Sequence, residues 1–288
     1  MIQNSAVLVD VNVSVWTGRK MDKKVSEEID VAKNTKTKGG NYHKKLLAGA
    51  QQLEDIQKLV AGIRMWHYQQ TLPWADSGAR LLPMKNFFDY KATLGQFEQQ
   101  FNTLVKKFLA EYPTLVSAAA FQLGDLFSVD EYPDAHKLED KFRFRYVFMP
   151  VPEVGDFRVD MGEAGKQELK AQYEKFYEEK LSNAVKDAWD RLHECVKHMS
   201  EKLADTANPR VTKQGTVYSQ IFRDSLIENA NELCGLLTKL NVTNDPKLEQ
   251  ARQELERVVN GKTAEALRDS DDLRRDTKAK VDKILEMF

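Results

Sequence analysis

Between Arg19 and Lys45 the chain carries nine basic residues, Arg19, Lys20, Lys23, Lys24, Lys33, Lys36, Lys38, Lys44 and Lys45, against four acidic ones, Asp22, Glu27, Glu28 and Asp30. The whole chain has 288 residues, 43 basic and 44 acidic side chains and a net charge of -1, so this segment is a local departure from overall neutrality. Ammonium and guanidinium groups strung along one segment suit phosphate chemistry, because each can neutralise a phosphate and release its counterion. The lysine-rich stretch 33–41 contains Gly39-Gly40, and Trp16 and Tyr42 flank it, which adds an aromatic surface for a stacked base. Arg19, Lys20, Lys33, Lys36, Lys38, Tyr42, Lys44 and Lys45 are the candidate nucleic-acid or phosphate-binding residues. The competing reading is a solvated helix and loop, with Lys23 and Lys24 three and four residues from Glu27 and Glu28.

Other constellations fit their chemistry less well. His193 and His198 on one helical stretch suggest a zinc-protease helix, but that motif needs a spacing of four. A spacing of five turns the second ring about 140° away from the first. Gly261-Lys262-Thr263 copies the end of a phosphate loop, yet Glu256 stands where the loop needs glycine, so a helix stop and restart is expected. Asp10, Asn12 and Ser14 are reminiscent of the metal-dependent adhesion motif of von Willebrand A domains. The valine alternation running through them instead places them on the open face of a strand. Asp130, Glu131, Asp134 and His136, with Glu139 and Asp140 beyond, could offer hard oxygen ligands to a divalent cation, but their spacing fits no known loop and Asp134 suits a helix cap. Glycine-rich dinucleotide, nucleophile-elbow and paired-cysteine motifs are missing from the sequence. The expectation is a chain without catalytic residues, metal or cofactor.

The elements that would carry these residues follow from periodicity. Val7, Val9, Val11, Val13 and Val15 alternate with polar and mixed positions, a strand pattern. Lys141–Val151 and Phe157–Met161 read as partner strands of a small antiparallel sheet, joined through a turn at Val154-Gly155-Asp156. Helical periodicity covers Met21–Ala32, Tyr42–Gln70, Lys85–Glu111 and a further helix from Thr114, with Pro73, Pro83, Pro113 and Pro133 at the joints. In the C-terminal half Tyr173, Tyr177, Leu181, Ala184, Ala188, Leu192, Val196, Met199 and Leu203 share one face of a helix from Glu163 to Asp205, on the order of 60 Å long. Such a helix projects or packs along partner helices. Thr243-Asn244-Asp245-Pro246 supplies a cap followed by proline at the first helical position, and Gly261 before Thr263 stops one helix and caps the next. The fold class expected is α+β, predominantly α. Its domains are a mixed helical and small-sheet domain, residues 1–162, and a helical bundle, residues 163–288, of one long helix and three shorter ones. The aromatic residues Trp66, His67, Tyr68, Trp74, Phe87, Phe88, Tyr90, Phe97, Phe101 and Phe108 read mostly as core of the first half, with some left over for a partner groove. Leu226, Leu233, Leu237 and Leu240 could close an intramolecular bundle or a dimer.

Composition limits the class further. With 30% charged and 42% hydrophobic residues the chain has the make-up of a folded, water-borne, helix-rich protein. The apolar run that begins at Ala6 ends at Asp10, far short of a membrane span, and the first residues lack the basic start of a signal peptide, so a cytoplasmic location is expected. Cys195 and Cys234 lie in apolar helical segments without a neighbouring cysteine and read as reduced, buried thiols.

The strings Trp16-Thr17-Gly18-Arg19-Lys20, Leu72-Pro73-Trp74, Leu82-Pro83-Met84-Lys85-Asn86-Phe87-Phe88 and Ala118-Ala119-Ala120-Phe121 resemble an uncharacterised family encoded by tailed bacteriophages and some bacteria. The resemblance extends over most of the chain. It implies genes that neighbour a MoxR-like AAA+ ATPase and a von Willebrand A type protein, and it assigns no catalytic residue. Three functions are consistent with the sequence. The first is a non-catalytic adaptor or assembly subunit working with a protein partner, an AAA+ ATPase being one, or through self-association of its helices. The second is a nucleic-acid-binding protein of phage DNA metabolism using residues 19–45, and the third is a metal-dependent enzyme. No membrane and no small-molecule substrate is indicated.

Overall fold

The valine alternation forms the strand it predicts, β1 (Ala6–Ser14), with Val9 and Val13 buried and Asn12 and Ser14 exposed. The computed structural model describes residues 2–76, 78–152, 162–204, 210–211, 217–218 and 223–288. Along the chain there follow β2 (Arg19–Asp22), α1 (Lys23–Ala32), β3 (Tyr42–Lys45), α2 (Gln51–Gln70), β4 (Leu72–Pro73), β5 (Arg80–Pro83), α3 (Phe87–Leu123), α4 (Ala135–Glu139) and β6 (Arg143–Pro150). Then come α5 (Gly162–Leu203), β7 (Arg210–Val211), β8 (Val217–Tyr218), α6 (Ser225–Leu240), α7 (Pro246–Val259), α8 (Ala264–Asp269) and α9 (Asp271–Leu285). The fold is α+β and mainly α. A four-stranded sheet runs in the order β4-β5-β1-β6, β2 pairs with β3, and β7 pairs with β8. The strand read at Phe157–Met161, with its turn at residues 154–156, lies outside the described residues.

The chain clusters into two units that do not follow its linear order. The first holds Met1–Asp10, Gln69–Phe88 and Phe148–Phe288; the second holds Val11–Tyr68 and Asp89–Val147. The sheet segments at the N-terminus and near Pro73 thus belong with the C-terminal helices, although α5 begins at Gly162 where the sequence divides into halves.

In the first unit β1 and β5 run antiparallel with Ala6 opposite Pro83 and Leu8 opposite Leu81, and Leu72 of β4 faces Leu81 from the other side. Leu8, Leu72 and Leu81 share one core with Ala184, Ala188, Leu192, Val196, Met199 and Leu203 of α5, with Ala230, Cys234 and Leu237 of α6, and with Leu255 and Val281 beyond. Each fully buried leucine or valine stabilises by roughly 1.5–3 kcal/mol relative to exposure, so this shared face fixes the helices. Leu226, Leu237 and Leu240 are buried in the same core and Leu233 packs against it, so they close a bundle within the chain. The caps behave as read: Asp245 accepts a hydrogen bond from the Lys247 N–H with Pro246 at the first position, and Thr263 accepts from the Ala266 N–H. Gly261 has φ +71°, the left-handed conformation that a helix stop favours in glycine. Instead of three shorter helices after α5 there are four among the described residues, because Ser270 accepts from the Leu273 N–H and opens α9 after α8 ends.

The second unit corrects two expectations. Pro113 does not separate two helices; α3 runs unbroken through it for 37 residues. Proline inside a helix costs about 3 kcal/mol, but Phe108 and Tyr112 before it and Ala119 after it are all buried on one face, and that burial outweighs the lost hydrogen bond. Tyr42–Lys45 is a strand and not the start of a helix, with Arg19 opposite Lys45, Lys20 opposite Lys44, Met21 opposite His43 and Asp22 opposite Tyr42. Trp16, Leu53, Ile56, Val60, Phe101, Val105, Phe108, Leu138 and Phe142 form the core of this unit.

Candidate functional site

The basic segment is built by β2, α1, the loop 33–41 and β3, all in the second unit. Asp22 caps α1 by accepting from the Val25 N–H at 3.2 Å, and Ser26 Oγ donates to the Asp22 carbonyl and accepts from the Tyr42 N–H at 2.9 Å, which ties α1 to β3. The loop is drawn back onto the end of α1: Asp30 Oδ1 accepts from the Gly39 N–H at 3.1 Å, and the Asp30 carbonyl accepts from the Thr35 N–H at 3.0 Å. Residues 31–41 are all exposed.

The sequence candidates separate in this frame. Arg19, Lys20, Lys33, Lys36, Lys38 and Lys45 are exposed, as are Lys23 and Lys24, and Tyr42 is half-buried. Lys44 is a correction. Its side chain is 5% exposed, with Nζ 3.0 Å from Asp22 and 2.8 Å from Glu131, and it donates to the Leu126 carbonyl at 2.7 Å. Burial opposes the charge on Lys44, but the hydrogen bonds it donates to Glu131 and Asp22 outweigh it and hold the ammonium above its ordinary pKa. The hydrogen bond from Lys44, and then that from the Val25 N–H, hold Asp22 below the usual carboxylate range. Lys44 therefore fastens the β2–β3 pair to the loop after α3 and is closed to a phosphate. Trp16 is also withdrawn from stacking, at 9% exposure with its ring edge-on to Tyr112 at 6.1 Å. Local sequence carries no sign of Lys44's role, since its partner Glu131 lies 87 positions on in the chain.

The acidic turn after α3 does not converge. Glu131 is engaged by Lys44, Asp130 is exposed, and Asp134 stands at the start of α4 without capping it through its side chain, 3.8 Å from Lys137. Among the described residues no three His, Cys, Asp or Glu side chains gather closely enough to hold a metal ion. Burial pushes the Cys195 thiol up to about 11 and the Cys234 thiol up to about 12, far from thiolate chemistry at neutral pH. In the first unit a depression of about 520 Å³ is lined by Trp189, Asp190, His193, Lys247, Leu285, Met287 and Phe288. Trp189 Nε1 donates to Asp245 at 3.0 Å, and the Phe288 ring stands 5.3 Å from Trp189 and 4.9 Å from His193. That lining holds no hydroxyl or thiol nucleophile. The aromatic group divides as well: Trp66 stacks on Tyr90 at 4.6 Å and meets Phe97 edge-on, Phe101 and Phe108 are buried, and Phe88 stays 77% exposed.

The long helix offers a different surface. From Ala184 to Leu203 its inner face is core, whereas from 165 to 183 every side chain is half-buried or exposed, Tyr177 and Leu181 packing against the edge of the core. Leu169, Phe176, Tyr177 and Leu181 lie on this stretch, Phe176 is 45% exposed, and Tyr177 meets Trp74 edge-on at 5.4 Å. Next to it a shallow groove of about 610 Å³ is lined by Leu181, Val185 and Trp189, flanked by Glu178 and Lys186. No helix among the described residues is long and apolar enough to cross a membrane. No family model, no curated protein and no solved structure matches the chain.

Proposed function

We propose that this chain is a non-catalytic interaction protein, an adaptor or assembly subunit that docks a protein partner along the N-terminal half of α5. One observation carries the reading. A helix of 42 residues commits its C-terminal half to the core and leaves residues 165–183 without a fully buried side chain, while Leu169, Tyr173 and Phe176 follow one another at four- and three-residue spacing there, with Tyr177 and Leu181 half-buried where this face meets the core. Amphipathic helices dock partners through such anchors at i, i+3, i+4 and i+7. The groove lined by Leu181, Val185 and Trp189 extends the same apolar surface toward α7.

The resemblance to the phage-encoded family points to the partner, an AAA+ ATPase of the MoxR-like kind, and to work inside the bacterial cytoplasm. The test is co-elution of the purified protein with an AAA+ ATPase of the MoxR-like kind. The wild type should form a complex that persists in high salt, because apolar contacts are not screened. Phe176→Glu combined with Leu169→Glu should weaken it at least tenfold, or about 1.4 kcal/mol, while leaving the melting temperature unchanged. Equal affinity of the variant and the wild type would refute docking on α5.

A further inference from the structure

We propose that the second unit carries a sequence-independent binding surface for the phosphodiester backbone of a nucleic acid, formed by Arg19, Lys23, Lys24, Lys33, Lys36, Lys38 and Lys45. This lies beyond the adaptor reading and on a different unit from α5.

Three observations support it. First, all seven cations are exposed, and among the described residues none stands within 4 Å of a carboxylate. Exposed lysines elsewhere in the chain do find partners: Lys58 sits 3.9 Å from Glu54, Lys137 3.8 Å from Asp134 and Lys280 2.6 Å from Asp276. The acids of the segment are fewer and partly engaged, since Asp22 is held by Lys44 and Asp30 accepts from the Gly39 N–H. Second, Arg19 and Lys45 are direct partners across the β2–β3 pair. Like charges placed opposite on a sheet disfavour folding, so the fold retains a repulsion that an anion would relieve. The buried Lys44 network fixes the other face of this pair, which sets Arg19, His43 and Lys45 together on one side. Third, the cations are spread out. Helix α1, ten residues long, separates Lys23 and Lys24 at its start from Lys33, Lys36 and Lys38 beyond its end. That helix is about 15 Å long, over which one strand of a duplex presents four or five phosphates at about 3.4 Å each. A Cβ added to Gly40 would meet no atom within 4 Å, so the loop is open to close approach at that residue. An extended row of unpaired cations suits a repeating polyanion better than a single phosphate. With Trp16 buried and Tyr42 half-buried, base stacking contributes little and sequence should not be read.

The test is fluorescence anisotropy of the full chain with a labelled 20-nucleotide single strand and a 20-base-pair duplex, each of mixed sequence, at 50 and 200 mM salt. Four neutralised phosphates give a slope of about -3.6 in log affinity against log salt, so duplex affinity should fall roughly 150-fold between the two salts. Lys33→Glu, Lys36→Glu, Lys38→Glu and Lys45→Glu together should abolish binding at 200 mM. Lys58→Glu, Lys106→Glu, Lys107→Glu and Lys137→Glu together, an equal charge change elsewhere on the same unit, should cost less than threefold. Circular dichroism melts confirm that both variants fold. Absence of binding at 50 mM would overturn the proposal, as would equal loss in the two variants. Equal affinity for polyglutamate or for anionic phosphatidylserine vesicles would overturn the assignment to nucleic acid.

Discussion

Replacing Lys44 by methionine should destabilise the protein by about 2–3 kcal/mol without removing a surface charge. The side chain is 5% exposed and makes three contacts, at 2.7 Å to the Leu126 carbonyl, 2.8 Å to Glu131 and 3.0 Å to Asp22. Removing one partner of a buried pair typically costs about 3–5 kcal/mol, because the remaining charges stay desolvated. Asp22 and Glu131 are 15% and 21% exposed, so water reaches them once the ammonium is gone, and the cost falls toward the lower end. Losing the hydrogen bond to Leu126 contributes about 1 kcal/mol of this. In a chain of this size each kilocalorie shifts Tm by about 2–4 °C, so Lys44→Met should melt roughly 4–12 °C lower. Urea denaturation followed by circular dichroism gives the free energy directly. Adding Asp22→Asn and Glu131→Gln to Lys44→Met neutralises the orphaned acids and should restore stability to within about 1 kcal/mol of the wild type. A cost below about 0.5 kcal/mol for the single variant would refute the anchoring role, as would a triple variant no better than the single one.

The same ion pair also gives a pH dependence. Asp22 has a depressed pKa in the folded chain, so its contribution is fully present above its unfolded value near 3.9 and is lost as pH falls through the folded value. Melts between pH 7 and pH 3 should therefore fall more steeply for the wild type than for Asp22→Asn. Gly261→Ala forces a side chain onto φ +71° and should cost about 1 kcal/mol by urea denaturation, although open space surrounds the position. Cys195 and Cys234, with pKa values pushed up to about 11 and about 12 by burial, should resist a thiol reagent at pH 8 in the native protein and react fully in urea.

The parts of the fold that local chemistry dictates were legible in the sequence. Valine alternation wrote β1, proline and aspartate wrote the start of α7, and Gly261 with Thr263 wrote the stop and cap before α8. What failed depended on distant partners. Tyr42–Lys45 looks helical until Lys44 is seen to need Asp22 and Glu131, which makes the segment a strand. Pro113 reads as a break unless the burial of Phe108, Tyr112 and Ala119 along one continuous face is known. Strands β4 and β5 are too short for alternation to register; β5 is placed by its pairing with β1, and β4 by its pairing with β5. The basic segment was visible as composition, but the separation of Lys44 from its exposed neighbours required the tertiary contact.

The central claim is that residues 165–183 of α5 form the docking surface for a protein partner. Hydrogen exchange read by mass spectrometry, on the full chain alone and with a MoxR-like AAA+ ATPase as the proposed partner, addresses it most directly. Amides of residues 165–183 should exchange more slowly in the complex, while those of residues 19–45 stay unchanged. Unaltered exchange across 165–183 in a demonstrated complex, with protection elsewhere, would contradict it.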